Sequence, residues 1–203
     1  MEVEAKYAVS GADLRVVAML DHLGIYALRA APEPERQQNH YFDTADRRLG
    51  QARYGLRLRE VGERSLVTLK GPAEVSEGLH RRAEYEFAHG DPDPRTWPVG
   101  PARELALALI GPAPLLPTLT IVTRRELIFA SYQSQDVAEI CLDHGVFHVG
   151  GRDVPFSELE IELLPAGAES DLAAIAVALR EHIDLRPESR SKLQRGLALA
   201  ENC

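Results

Sequence analysis

Charged residues recur at every second position in six segments of the chain, with apolar residues between them. The polar positions are Glu2, Glu4 and Lys6; Arg57 and Arg59; Thr68 and Lys70; Arg82, Glu84 and Glu86; Glu139 and Asp143; and Glu158, Glu160 and Glu162. Residues i, i+2 and i+4 of a strand share one face, so each segment is predicted to be a strand with one ionic and one apolar face. Six such strands predict a sheet that gathers carboxylates and cations onto one surface. Such a surface suits holding a metal ion and a polyanion together.

The elements that carry these residues are mostly strands. Strands are predicted near residues 2–9, 38–43, 53–61, 64–70, 80–88, 118–129, 137–144 and 156–164. Hairpin turns are predicted at Val61-Gly62-Glu63 and around His144-Gly145. Helices are predicted from Gly11 to about His22, from Pro101 to Gly111, near 170–183 and near 188–201.

Eight strands joined mostly by hairpins can close on themselves, which removes the sheet edges. Closure with the apolar faces inward gives an ordinary core, whereas the opposite closure gives a polar tunnel whose outer wall is covered by the four helices. The amphipathic stripe on the helix at 170–183 needs an apolar partner, which favours the tunnel. We therefore predict a single α+β domain over residues 1–203, mainly antiparallel β, with a closed eight-stranded β-barrel and helices packed outside.

Composition narrows the classes of function. The chain has 203 residues, 45% of them hydrophobic, and a net charge of −8, the wrong sign for a general nucleic-acid surface. No apolar run approaches a membrane span, and the chain opens with a charged strand rather than a signal sequence, so we expect a cytoplasmic protein. Cys141 and Cys203 are expected to be reduced thiols. An apolar outer wall can be covered by helices or by a second subunit, so the pattern leaves undecided whether the protein is a monomer or a homodimer.

Seven motifs in one order carry a resemblance to a known family. They are Glu2-Val3-Glu4-Ala5-Lys6, Tyr41-Phe42-Asp43-Thr44, Leu56-Arg57-Leu58-Arg59, Thr68-Leu69-Lys70, Arg82-Ala83-Glu84-Tyr85-Glu86, Glu160-Ile161-Glu162-Leu163 and Ser191-Lys192-Leu193-Gln194-Arg195-Gly196. The first resembles the ExExK signature of the CYTH domain, or triphosphate tunnel metalloenzyme, superfamily. The segments Tyr41–Arg47 and Gly78–Arg82 are most similar to its bacterial inorganic triphosphatases.

The resemblance implies metal-dependent hydrolysis of inorganic tripolyphosphate inside the tunnel. It implies that Glu4, Glu160 and Glu162 hold a first Mg²⁺ or Mn²⁺ ion with Glu2 near it, because such cations prefer carboxylate oxygens. It implies a substrate clamp of Arg57, Arg59, Lys70, Arg82, Arg124 and Lys192, acting through charge-assisted hydrogen bonds. Lys6 would touch the substrate beside the metal. If a second ion binds, it could orient and acidify the attacking water, which Glu2 would hold or deprotonate.

Several residues have more than one interpretation. Glu84 and Glu86 either assist a second metal or pair with neighbouring arginines, whereas Asp143 and Glu139 either bind a metal or neutralise cations of the tunnel. Arg124 and Arg125 point to opposite faces of their strand, and we favour Arg124 for the tunnel. Other residues are expected to have structural roles: a solvated or salt-bridging role for Glu158 and Glu60, a loop-fixing role for Asp43, and a packing role for Trp97.

Three functions remain open. The first is an inorganic triphosphatase; the second is a hydrolase or cyclase of an organic triphosphate, such as a thiamine triphosphatase or an adenylate cyclase; the third is a non-catalytic polyphosphate-binding module. An organic substrate needs a ring-binding surface, yet aromatic residues are only 6% of the chain, and Tyr7, Tyr85 and Phe87 are predicted on the outer faces. The many carboxylates argue against a simple anion-binding module. We therefore expect an enzyme acting on a small inorganic polyanion.

Overall fold

The computed structural model describes residues 1–76 and 79–201. The strands are β1 (Glu2–Ala8), β2 (His22–Leu23), β3 (Tyr26–Ala30), β4 (Glu35–Asp43), β5 (Gly55–Val61), β6 (Arg64–Lys70), β7 (Glu74–Ser76), β8 (Leu79–Arg82), β9 (Glu84–Ala88), β10 (Leu116–Tyr132), β11 (Gln135–Val149), β12 (Arg152–Leu163) and β13 (Arg186–Pro187). The helices are α1 (Gly11–Ala18), α2 (Arg48–Gln51), α3 (Pro101–Ile110), α4 (Glu169–Leu179) and α5 (Lys192–Glu201). Two positions used in the sequence analysis, Gly78 and Cys203, lie outside the described residues.

The strands form one antiparallel, strongly curled sheet in the order β7-β8-β1-β12-β11-β10-β4-β5-β6-β9. Three short strands lie off this path: β13 pairs with β1, β3 with β10, and β2 with β3. The expected mainly antiparallel α+β class is confirmed. None of the helices in the described ranges is long and apolar enough to span a membrane.

Residues 79–88 form two strands rather than the single predicted one. Only Ala83 separates β8 from β9, and the two strands have different partners, since β8 pairs with β1 and β9 pairs with β6. The backbone N–H of Gly71 donates to the carbonyl of Ala83 at 2.9 Å, just beyond the β6–β9 pairing. This short segment therefore contacts both halves of the sheet.

The long hairpins β10–β11 and β11–β12 turn at Gln133–Ser134 and Gly150–Gly151, all with positive φ. The turn predicted at His144-Gly145 is wrong, because both residues lie within β11 and pair with β10 and β12. Gly145 serves packing instead: a Cβ there would lie 2.3 Å from Cζ of Phe156. The turn predicted at Gly62 is confirmed, with φ 57°.

Two apolar clusters lie behind the ionic face of the sheet. One packs α1 and α4 against β1, β11 and β12, and the other packs α3 against β5, β6 and β9. Tyr7 belongs to the first, while Tyr85 and Phe87 pack against the second, as predicted for outer faces. A fully covered apolar face leaves the opposite, charged face of these strands to line a cavity.

The last helix departs from the prediction that all helices pack outside. Leu193 and Leu199 of α5 pack against a third cluster on the opposite face of the sheet, formed by Tyr41, Leu119, Ile121, Phe147 and Val149. Gly196 permits this approach, because a Cβ there would lie 2.3 Å from Leu119 Cδ2. The position of α5 brings Lys192 to the ionic surface.

Two expected structural roles are confirmed. The Asp43 carboxylate accepts backbone N–H groups of Thr44 at 2.7 Å and of Leu49 and Gly50 at 2.9 Å. It thereby fixes the loop that leads into α2. The Trp97 ring is buried and meets Phe87 edge-on with ring centroids 5.3 Å apart.

Candidate active site

The ionic faces enclose a cavity of about 630 Å³. All but one of the predicted site residues line it: Glu2, Glu4, Lys6, Arg57, Arg59, Lys70, Arg82, Glu84, Glu86, Asp143, Glu160, Glu162 and Lys192. The two-residue repeat of the strands brings these side chains together from seven strands, β1, β5, β6, β8, β9, β11 and β12, and Lys192 comes from α5.

The exception is Arg124, and its predicted position is wrong. Arg124 is exposed and pairs with Glu126, whereas Arg125 lines the cavity. Arg125 pairs in register with Asp143 and binds its carboxylate in a bidentate manner at 2.8 and 2.7 Å. Its Nη2 also donates to Glu160 at 2.6 Å. Because directly paired residues share a face, the interior position of Asp143 determines which arginine enters the cavity.

At the corner of β1 and β8, two glutamates share three cations. Arg82 donates to Glu2 at 2.5 Å and to Glu4 at 2.6 Å, and Lys70 donates to Glu2 at 2.7 Å. Lys6 lies 3.0 Å from Glu4 and 3.2 Å from Glu160. Burial raises the pKa of Glu2, but the charges of Lys70 and Arg82 outweigh it and leave that pKa well below its usual range. Glu2 is therefore a charged ligand group and a weak base.

A second group of ion pairs joins α5 to β11 and β12. Lys192 contacts Asp143 at 2.9 Å, Glu160 at 2.9 Å, and Glu158. Arg195 also binds Glu158, which is fully buried, so the salt-bridging expectation for Glu158 agrees with the geometry. Arg195 was not singled out as a site residue. Arg195 follows Lys192 by three residues, so the two side chains lie on one face of the helix, and this spacing could have identified Arg195 from the sequence.

The wall formed by β5, β6 and β9 is the more basic one. Arg57 donates to Thr68 at 3.1 Å and to Glu86 at 3.3 Å, but its Nε is buried without a hydrogen-bond partner in the part of the chain that the structure describes. Arg59 donates to the neutral amide oxygen of Asn39 at 3.0 Å and has no carboxylate within 4.0 Å among the described residues. Burial, with the nearby charges of Arg57 and Arg125, lowers the pKa of Arg59 to about 10. Positive charge is thus in excess on this wall.

Glu84 and Glu86 pair with cations of the same wall. Glu84 lies 3.1 Å from Lys70, and burial together with the charge of Glu2 raises its pKa. Glu86 accepts a hydrogen bond from the Thr68 hydroxyl at 2.8 Å. Burial raises the pKa of Glu86, but Thr68 and Arg57 outweigh this effect and lower it. Both carboxylates agree with the interpretation in which they neutralise arginine and lysine.

Glu162 is the opposite case, a carboxylate with no hydrogen bond or ion pair to any described residue. Burial and the charges of Glu2 and Glu4 raise its pKa to about 7. Three possible ligand atoms lie within 4.8 Å of one another here: a carboxylate oxygen of Glu162, a carboxylate oxygen of Glu139 and the sulfur of Cys141. A second acidic group of that size, Asp143, Glu158 and Glu160, is already neutralised by Lys192, Arg195 and Arg125.

The donor set around Glu162 fits a metal ion. Carboxylate oxygens are the ligands that hard divalent cations prefer, and repulsion among Glu2, Glu4 and Glu162 is what such a cation would relieve. The acidic clusters of this cavity can therefore bind a metal.

Comparison with known proteins gives one family and several relatives. The CYTH domain model matches residues 1–197. An inorganic triphosphatase of Haemophilus influenzae is 29% identical over 167 residues, which are 79% of this chain and 45% of that protein. The chain thus spans about half the length of this curated relative.

Solved structures share the fold. A Hippeastrum protein, described as a putative adenylyl cyclase with a dominant triphosphatase activity, has a TM-score of 0.67 and 20% identity over 100% of this chain and 96% of its own. A putative adenylate cyclase of Bacillus halodurans has a TM-score of 0.66 and 25% identity over 96% of each chain. The curled antiparallel sheet with its helices is therefore a fold shared with these proteins.

Proposed function

We propose, because this chain belongs to the CYTH domain family, that it is an enzyme that hydrolyses inorganic tripolyphosphate to diphosphate and phosphate with a divalent cation. One observation carries the proposal. The cavity leaves an acidic group, Glu162, and a basic group, Arg59, both without partners of opposite charge among the described residues. If the two groups had a purely structural role, they would be expected to pair. A metal bound to a polyphosphate supplies the missing positive charge at Glu162 and the missing negative charge at Arg59.

We further propose that the sheet closes into an eight-stranded barrel, so that the cavity is a tunnel. The pairing of residues 79–82 with β1 and of residues 84–88 with β6 supports closure through this one segment. Closure exposes the substrate to charged walls on all sides and limits its contact with water, which strengthens each electrostatic interaction.

In this proposal Glu2, Glu4, Glu160 and Glu162 hold one or two Mg²⁺ or Mn²⁺ ions. Glu160 forms ion pairs with Lys6, Lys192 and Arg125, so these cations would hold its carboxylate in place beside the metal. A bound divalent cation would neutralise phosphate oxygens and lower the pKa of a coordinated water.

The cations of the tunnel would bind and orient the phosphate chain. Arg57, Arg59, Lys70, Arg82, Lys192 and Arg125 approach the cavity from five different elements, and Lys6 lies beside Glu4. Phosphoryl transfer depends mostly on positioning and on neutralising charge, so no covalent nucleophile is required. The low pKa of Glu2 suits holding a water through its charged oxygens better than removing a proton from it.

The experiment that tests this function is a substrate panel with Mg²⁺ or Mn²⁺. We expect kcat/KM for tripolyphosphate to exceed that for ATP by about two orders of magnitude, or about 3 kcal/mol of discrimination, with diphosphate a poor substrate. Comparable turnover of ATP or thiamine triphosphate, or formation of cyclic AMP, would support an organic substrate instead. Tight binding of tripolyphosphate without turnover would support a binding module.

A variant that removes an aromatic side chain of the cavity is a control for nucleobase binding. Two tyrosine rings, those of Tyr41 and Tyr54, line the cavity, although the sequence pattern predicted almost no aromatic residue there. Both also pack in apolar clusters, Tyr41 with Leu119 and Tyr54 beside Leu56. If a nucleobase stacked on Tyr54, Tyr54→Ala would weaken ATP binding far more than tripolyphosphate binding.

A further inference from the structure

His80 is a buried histidine on the cavity side of the sheet that the proposed function leaves without a role. It belongs to β8, two residues before Arg82, and both residues line the cavity. The residue is 1% exposed, and its Nε2 lies 3.0 Å from the backbone carbonyl oxygen of Glu188. A carbonyl oxygen only accepts, so Nε2 carries the hydrogen. Burial lowers the pKa of His80, and a neutral ring with its hydrogen on Nε2 agrees with this hydrogen bond.

The hydrogen bond of His80 joins two segments that share one edge of β1. Strand β8 pairs with β1 as far as Ala5, and β13 pairs with β1 from Tyr7 onward. Between the two, the backbone N–H of Glu188 donates to the carbonyl of Lys6 at 2.9 Å. The N–H and the C=O of Glu188 are therefore both held, the first by the backbone of β1 and the second by the His80 ring.

Glu188 is also the last anchor before the helix that carries Lys192. In the described part of the chain, no residue between Glu188 and α5 makes a backbone hydrogen bond to the sheet. The connection is bonded within itself: the Glu188 carboxylate accepts the N–H of Arg190 at 2.9 Å. Ser191 and Gln194 then form a reciprocal cap at the start of α5, with bonds of 2.7 and 3.1 Å. Because this connection is short and internally bonded, a shift of Glu188 would move the start of α5 and Lys192 with it.

We propose that His80 is a positioning residue that, through the Glu188 carbonyl, sets where Lys192 enters the cavity. The inference rests on the proposed function, in which Lys192 binds the phosphate chain, and adds to it a residue that acts through the backbone. Lys192 lies 2.9 Å from Asp143 and 2.9 Å from Glu160. Charge-assisted hydrogen bonds depend steeply on distance and angle, so a displaced ammonium group would bind phosphate oxygens less well.

The test is a double-mutant cycle on the KM for tripolyphosphate with Mg²⁺. His80→Leu removes the N–H donor, whereas His80→Gln keeps one. His80→Leu is combined in turn with Lys192→Ala and with Arg57→Ala, whose side chain belongs to the basic wall. His40→Leu is the matched control, since His40 also has a hydrogen bond, at 3.1 Å to Thr120, but does not line the cavity.

We expect His80→Leu to raise KM about tenfold in the wild-type background and less than about twofold when Lys192 is already alanine, because residues that act through one another are not additive. In the Arg57→Ala background the full increase should persist. His80→Gln should stay within about threefold of the wild-type KM because it keeps a donor. His40→Leu should leave KM unchanged. An equal increase in both double variants, or a wild-type KM in His80→Leu, would overturn the inference.

Backbone hydrogen exchange separates this inference from the proposed function, because it needs no substrate. His80→Leu should speed the exchange of N–H groups in residues 188–195 about tenfold and leave residues 35–43 unchanged. Unchanged exchange at 188–195 would overturn the inference even if KM rises. If the wild-type protein neither binds nor hydrolyses tripolyphosphate, the proposed function fails, and the exchange result still decides whether His80 positions α5. If His80→Leu does not fold, His80→Asn, whose side chain is shorter, replaces it in both measurements.

Discussion

At the scale of single residues, the cavity is a nearly complete set of ion pairs with a few exceptions. Arg82, Lys192 and Arg125 each contact at least two carboxylates. Removing one partner of a buried ion pair leaves the other charge buried and uncompensated, which lowers the stability of the fold. The exceptions, Glu162 and Arg59, are therefore the residues whose side chains are best explained by a ligand.

Glu162→Gln should remove most activity and not lower stability. At pH 8, above its pKa of about 7, Glu162 is charged and is repelled by Glu2 and Glu4 in the metal-free protein. Removing that charge should leave Tm in EDTA equal or higher, while kcat/KM with Mg²⁺ falls at least about 100-fold. Glu60→Gln is the control, since Glu60 is exposed. A large loss of Tm in Glu162→Gln would indicate a structural carboxylate.

Arg57→Ala and Lys70→Ala should each raise KM for tripolyphosphate. The expected loss is about 1 to 3 kcal/mol of charge-assisted bonding, measured by steady-state kinetics. Arg36 is the control, because its side chain is exposed and does not line the cavity, so Arg36→Ala should leave KM unchanged. Equal effects at all three positions would show that the cavity does not bind the substrate.

At the level of secondary structure, the strands that carry the site residues have one face in an apolar cluster and the other in the cavity, and side-chain hydrogen bonds hold some of the loops between them. The Asp43 loop is the clearest case, because a single carboxylate accepts three backbone N–H groups. Those groups belong to Thr44, directly after β4, and to Leu49 and Gly50 in α2, which precedes β5 and its arginines. The stability of the chain segment that precedes the basic wall therefore depends on a residue outside the cavity.

Asp43→Ala should lower the free energy of unfolding by about 2 to 3 kcal/mol, because two buried N–H groups and one part-buried N–H group lose their acceptor. Asp43→Asn, which keeps one acceptor oxygen, should lose less. Urea unfolding measures both values. At a temperature where the variant is folded, KM should stay near the wild-type value, and a steep rise in KM with unchanged stability would contradict this role.

At the level of the whole molecule, the two larger apolar clusters and the charged cavity lie on opposite faces of one sheet. The apolar clusters under α1, α3 and α4 lie behind the strands, and the charges lie in front of them. Loss of a metal should therefore affect activity without affecting the fold.

Activity should disappear in EDTA and return with Mg²⁺ or Mn²⁺, while the far-ultraviolet circular dichroism spectrum is unchanged. The apolar clusters hold the strands in place without the ion, which is the reason for the second expectation. Turnover that persists in chelator would contradict the metal-dependent function. Unfolding in chelator would show a structural metal instead.

The face of most charged residues is predictable because strand alternation is a local property. From Glu2 to Glu162, most charged residues two apart in a motif line the same cavity. Local patterns fail where a residue's environment depends on a distant partner. Gly145 resembles a turn residue by type, but it lies in a strand because the ring of Phe156, eleven residues away, fills its missing side chain.

The strand periodicity, the ionic and apolar faces, and most of the residues that share a surface follow from residue order alone, since neighbouring side chains alternate wherever a strand forms. The choice between Arg124 and Arg125 does not, because both belong to one strand and the choice depends on the pairing of β10 with Asp143 of β11. The packing of α5 on the cavity side and the lack of a cation partner for Glu162 among the described residues likewise depend on the folded arrangement. Pairing register, helix docking and ion-pair choice are long-range properties, and no local pattern of residue types specifies them.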